Sequence, residues 1–79
     1  MTSELTPHIE YYLNGNVKVK GQRNSKGQEE GICEGFYENG NIHWRTSFKE
    51  GKKDGIEKWF DKQGNITETS HWKNGQLIS

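Results

Sequence analysis

The chain is short of the material from which a conventional core is built. Apolar residues occupy 28% of its 79 positions, against roughly 45–50% in an ordinary globular domain on a count that includes glycine. Its 10 glycines do not close that gap. A thick two-layer core is excluded, and the length allows one domain at most. A regular sheet, an oligomer or a covering partner must compensate. Cysteine is nearly absent: Cys33 stands alone and cannot form an internal disulfide, whereas a secreted domain this small normally carries several. The first seven residues offer no basic start and no apolar stretch of signal-peptide type. No run approaches the roughly 20 apolar residues of a membrane span. A cytoplasmic setting is therefore expected. Net charge is lacking too, with 11 basic and 11 acidic residues. Lys18, Lys20 and Arg23, and Lys49, Lys52 and Lys53, are offset by Glu29, Glu30, Asp54 and Glu57. That balance argues against nucleic acid as a partner, which would require clustered Lys and Arg to displace counterions.

What the chain has is repetition. Tyr11-Tyr12-Leu13-Asn14-Gly15-Asn16-Val17, Phe36-Tyr37-Glu38-Asn39-Gly40-Asn41-Ile42 and Phe60-Asp61-Lys62-Gln63-Gly64-Asn65-Ile66 share one pattern: aromatic, polar turn, Gly-Asn, aliphatic. Gly27, Gly51 and Gly75 fall between them every 24 residues. A period of this size marks stacked supersecondary units. Residues 42–48 alternate apolar and polar with the period of a strand, and no segment shows helical spacing. The spacing predicts an all-β, antiparallel meander of about six strands, an extended single-layer sheet built from three hairpins. After a lead-in over residues 1–7, a single repeat domain spans 8–79, in units of about 8–30, 31–54 and 55–79.

Face parity fixes the expected turn. Tyr11 and Val17, Phe36 and Ile42, and Phe60 and Ile66 lie six positions apart, so both members share a face only if the loop holds an odd number of residues. A three-residue loop with glycine third, a type I turn followed by a left-handed residue that forms a G1 bulge, satisfies this. Continued without interruption, the register faces Ile9 with Val19, Lys58 with Glu68 and Cys33 with Arg45. It places Ile9, Tyr11, Val17, Val19, Ile32, Phe36, Ile42, Trp44, Phe48, Ile56, Phe60, Ile66 and Trp72 on a core face. His8, Glu10, Tyr12, Cys33, Tyr37, His43, Arg45, Trp59 and His71 fall on a polar face.

The pattern Gly-x4-aromatic-x3-Gly-Asn-aliphatic, followed by a Lys/Asn/Glu-Gly turn, resembles the MORN repeat, and more closely the MORN-repeat variant of bacterial proteins. Gly31, Phe36, Tyr37, Glu38, Asn39, Gly40, Gly51, Lys52, Lys53, Asp54, Gly55, Phe60, Gly64, Lys73, Asn74 and Gly75 carry the likeness, which covers roughly residues 8–78. Unit one departs from it, with Thr6-Pro7 where the others have Gly-Ile. The resemblance implies β-hairpins stacked into an extended antiparallel sheet. It also implies a binding role, since such repeats occur in scaffolds and membrane-associated proteins, and the bacterial variant is similar to antitoxin components that neutralise a partner toxin. It supplies no catalytic residue.

Catalytic chemistry finds no constellation in the sequence. His8, His43 and His71 lie in different units without metal-ligand spacing, and Cys33 has no second cysteine. Beside Arg45 a thiol could ionise more readily, but an incidental cysteine at a family aromatic position is the simpler account. Glu34, Glu57, Asp61 and Glu68 are spread along the sheet rather than converging in a cleft. Neither cofactor nor metal is expected. Tyr11, Gly15, Phe36, Gly40, Ile42, Gly51, Gly55, Phe60, Gly64, Ile66 and Gly75 are assigned to the architecture of the repeat. Tyr12, Tyr37 and Trp59, with Arg45 and His43 as polar neighbours, are the expected partner-binding set, because exposed Tyr and Trp dominate binding hot spots. The expected function is a non-enzymatic protein-binding module, an inhibitor of antitoxin, immunity or anti-defence type directed at a toxin, nuclease or other effector. The alternative is a scaffold module that self-associates or sits at a membrane surface. Neutral charge speaks against lipid attachment, while a homo-oligomer is compatible with so apolar-poor a chain.

Overall fold

The computed structural model describes residues 4–78, and all their regular structure is β. Residues 1–3 of the expected lead-in and Ser79 lie outside the described residues. The strands are β1 (Thr6–Tyr11), β2 (Val17–Arg23), β3 (Gly31–Phe36), β4 (Ile42–Lys49), β5 (Lys52–Phe60), β6 (Ile66–Lys73) and β7 (Gln76–Leu77). They form one antiparallel sheet in sequence order. Its Cα extents are 40 × 32 × 14 Å, so a single layer is present. The short β7 adds a seventh strand to the expected six.

The turns form as parity demands. Gly15, Gly40 and Gly64 adopt φ of 94°, 93° and 93°, values open to glycine and strained for other residues. Tyr12 N–H donates to Asn16 O at 2.8 Å, and Gly15 N–H to Tyr12 O at 3.0 Å, closing a three-residue loop. Tyr37 and Gly40, and Asp61 and Gly64, repeat both bonds. Tyr11 faces Val17, Phe36 faces Ile42 and Phe60 faces Ile66.

One residue further on, the expected register fails. Glu10 faces Val19, Gly35 faces Trp44 and Trp59 faces Glu68, so Lys18, His43 and Thr67 are extra residues, one β-bulge per unit. The observed pairs are therefore Ile9 with Lys20, Cys33 with Thr46, Arg45 with Glu34, and Lys58 with Thr69. A one-residue slip exchanges faces. Val19, Trp44, Phe48 and Trp72 leave the expected core face and join Tyr37 and Trp59, while Arg45 and His71 move the other way.

The assignment of core and surface is corrected accordingly. The buried residues, Gly21, Cys33, Gly35, Thr46 and Glu57, all lie on the Tyr37/Trp59 face. Cys33 is the only apolar side chain among the described residues that is fully buried. The opposite face leaves Ile9, Tyr11, Ile32, Ile56 and Ile66 exposed, and Phe36 and Phe60 half-buried. Glycine explains the choice. Gly35 lets the Trp44 indole lie flat across β3, and a side chain at Gly21 would meet Cys33 Sγ at 2.5 Å. A strand glycine here marks close approach of a neighbour.

Candidate functional site

The sequence-derived candidates divide between the two faces. Tyr37 stacks on His43 with ring centroids 4.1 Å apart, and His43 meets Trp59 edge-on at 5.5 Å. Trp59 in turn lies 6.4 Å from Trp44. Tyr12 holds the position equivalent to Tyr37 in the first unit, and Lys18, equivalent to His43, reaches over its ring at 5.8 Å. The tyrosine hydroxyls are engaged within the fold: Tyr12 donates to Phe36 O at 2.5 Å and Tyr37 to Phe60 O at 2.7 Å, each bond joining one unit to the next. Arg45 is on the far face, where its guanidinium donates to Glu34 Oε2 at 2.6 and 3.0 Å. The sheet thus assembles Tyr37, His43 and Trp59, repeats the first pair as Tyr12 and Lys18 with Gly35 in the place of Trp59, and separates Arg45 from them.

Further along the aromatic face, Glu57 is the buried charge, 5% exposed. Its carboxylate accepts from Thr46 Oγ1 at 2.8 Å and Trp72 Nε1 at 3.1 Å, and pairs with Lys53 Nζ at 2.9 Å. Lys53 also lies over the Trp72 ring, 4.5 Å from its centroid. Burial alone would raise the Glu57 pKa, but the bonds from Lys53 and Thr46 outweigh it and hold the carboxyl below its usual value. With every partner satisfied, this cluster is structural.

Cys33 follows the opposite logic. Its thiol donates to Glu29 Oε2 at 3.0 Å, and burial followed by that carboxylate pushes its pKa up to about 12. A thiol held protonated is a poor nucleophile. Iodoacetamide at pH 8 is expected to leave Cys33 unmodified in the native protein and to label it after denaturation, as read by mass spectrometry. The unfolded thiol ionises near pH 9, so the thiol's contribution to stability declines as pH rises from 9 towards 12.

The surface that the sequence concealed is the open face. Ile32 and Ile56 hold equivalent positions in units two and three, and Pro7 takes that place in unit one. Leu5, Pro7, Ile9 and Ile32 line one shallow groove, flanked by Lys20 and Glu34. Ile32 and Ile56 line the next, flanked by Arg45 and Lys58. Leu5, Ile9, Ile32 and Ile56 are 49%, 41%, 53% and 46% exposed. These apolar side chains form one row with charged borders, an exposed patch of the kind that many interaction surfaces present. The signal was available in the composition, since one layer cannot bury two faces, yet apolar alternation alone reads as core.

A row of hairpins joined edge to edge, with one apolar face left open, defines a repeat-built single-layer sheet. The chain belongs to the MORN repeat variant family, whose model matches residues 7–24, 29–52 and 53–79. Repeats of this family are non-catalytic and generally serve as protein- or membrane-binding modules. No curated protein and no solved structure matches the chain.

Proposed function

We propose that this protein is a non-enzymatic inhibitor of antitoxin, immunity or anti-defence type, which blocks a macromolecular effector by covering part of its surface. The observation that carries this reading is the exposed row Leu5, Ile9, Ile32 and Ile56 on a one-layer sheet. A face of 40 × 32 Å can supply the roughly 800 Å² that one side of a standard protein interface takes. The charged side chains bordering the row, Lys20, Lys58 and the Arg45–Glu34 pair, form a polar rim of the kind that surrounds a protein interface. Of the five sequence-derived candidates only Arg45 lies on this face. Tyr12, Tyr37, His43 and Trp59 lie on the opposite face, where the two tyrosine hydroxyls bridge successive units. The lone cysteine fits a cytoplasmic site of action.

The test is capture from the native host with the wild-type chain and with an Ile32→Asp/Ile56→Asp variant, followed by assay of the captured protein. Wild type is expected to inhibit it stoichiometrically. The variant, folded by circular dichroism, is expected to bind at least about 30-fold more weakly, as the loss of a 2 kcal/mol hot spot would give. Equal capture by both chains would remove the open face from the interface. A captured protein indifferent to saturating wild type would favour the scaffold reading.

A further inference from the structure

The two junctions between units are built alike, and they have a direction. At the first, Tyr12 Oη donates to Phe36 O, while Asn14 and Asn16 Nδ2 donate to Glu38 O at 3.0 and 2.7 Å. At the second, Tyr37 Oη donates to Phe60 O, while Asn39 and Asn41 Nδ2 donate to Lys62 O at 3.4 and 2.7 Å. At these hairpin tips the donor side chains belong to the earlier unit and the acceptor carbonyls to the later one, whereas at the opposite ends the direction reverses, Glu50 N–H donating to Glu30 Oε1 and Asn74 N–H to Asp54 Oδ2.

The third unit breaks this series. Asp61 stands where Tyr12 and Tyr37 stand, and Gln63 where Asn14 and Asn39 stand. An ionised carboxylate cannot donate to a carbonyl. Asp61 instead accepts from Gln63 N and Asn65 N, both at 2.9 Å, and draws Asn65 Nδ2 inward at 3.2 Å. The donors that would reach a following unit are thus replaced or turned back.

The first unit carries the matching acceptors. Tyr12 N–H and C=O both face its own hairpin partner, so strand alternation turns the carbonyl of Tyr11 to the outer side of β1, the edge strand of the sheet. Tyr11 O and Leu13 O are the equivalents of Phe36 O and Glu38 O. The same alternation places Pro7, which has no N–H, on the outer side, as befits an edge position. Leu13 is fully exposed.

We propose that the outer edge of β1, with the carbonyls of Tyr11 and Leu13, is a docking site for a β-hairpin from outside residues 4–78 whose turn carries tyrosine and asparagine donors in the Tyr-x-Asn-Gly-Asn arrangement. A second copy of this chain does not fit. Its two donor-bearing turns are already engaged with its own later units, and its third turn carries Asp61. The site lies at the sheet edge and does not depend on the isoleucine face.

The probe is a synthetic peptide with the sequence of residues 7–24, titrated into the full chain and followed by amide chemical shifts. Saturable binding is expected, with shifts confined to residues 6–13 and their β2 neighbours. A Tyr12→Phe/Asn14→Ala/Asn16→Ala peptide is expected to bind at least about tenfold more weakly, since three hydrogen bonds are lost. Absence of saturable binding at millimolar peptide, equal affinity of the two peptides, or shifts centred on β6 or on Ile32 and Ile56 would each overturn the proposal. A complementary Asp61→Tyr/Gln63→Asn chain restores donors at the far end. It is expected to self-associate end to end in analytical ultracentrifugation at concentrations where wild type does not. Self-association of wild type to the same extent would refute the exclusion of a second copy.

Discussion

Gly35→Val is expected to destabilise the protein by about 3 kcal/mol, and Gly35→Ala by somewhat less. A Cβ at this position would overlap the Trp44 indole at Nε1 and Cε2. The ring cannot give way cheaply, because it lies beside Trp59, 6.4 Å between centroids, and both belong to the face that holds every buried residue. Overpacking of a tight site typically costs 1–3 kcal/mol, occasionally more. Against a total stability of about 5–15 kcal/mol, and a chain this small at the lower end, such a loss would remove more than half of what holds the fold. Urea titration followed by tryptophan fluorescence checks it. A valine variant within about 0.5 kcal/mol of wild type would mean that Trp44 does not cover Gly35.

Glu57→Leu is expected to cost about 3 kcal/mol despite the added apolar surface. It strands three donors together: Thr46 Oγ1, which is buried, Trp72 Nε1 and Lys53 Nζ. Each unsatisfied buried donor carries a penalty of about 1–3 kcal/mol, reduced for Lys53 because it reaches solvent. The effect has a pH signature. The folded carboxyl has a depressed pKa, so its contribution is present above the usual value of 4.5 and is lost as pH falls through the folded value. The stability gap between wild type and Glu57→Leu should therefore be widest near neutrality and narrow in acid. A gap that is constant down to pH 3 would show that the ionised carboxylate is not what Thr46, Trp72 and Lys53 recognise.

The hairpins were legible because turns leave local marks. Gly15, Gly40 and Gly64 occupy the left-handed position that loop parity assigned to them, and Phe36 faces Ile42. The bulges at Lys18, His43 and Thr67 were not legible: Lys, His and Thr carry no common chemistry, and Val17 with Val19 and Ile42 with Trp44 keep the apolar alternation running across the extra residue although they face opposite sides. Its effect is nevertheless large, since it carries Trp44, Phe48 and Trp72 across the sheet. Gly35 held the clue, as a strand glycine opposite a tryptophan makes room for that ring. The candidate site divided for the same reason. Tyr12, Tyr37, His43 and Trp59 stayed together because each precedes or forms the bulge of its own hairpin, whereas Arg45 follows one and changed sides.

The directional bonds between units also govern how the molecule comes apart. Each unit touches only its neighbours, so the free energy is a sum over units and two junctions, as in a short one-dimensional chain. The middle hairpin is clamped on both flanks, by Tyr12 from one side and through its own Tyr37 on the other. The outer hairpins are each held on one flank. Partial unfolding therefore begins at either end and removes one junction, while disrupting the centre removes both at once. Such a ladder frays before it melts, and its most persistent segment is the pair β3 and β4.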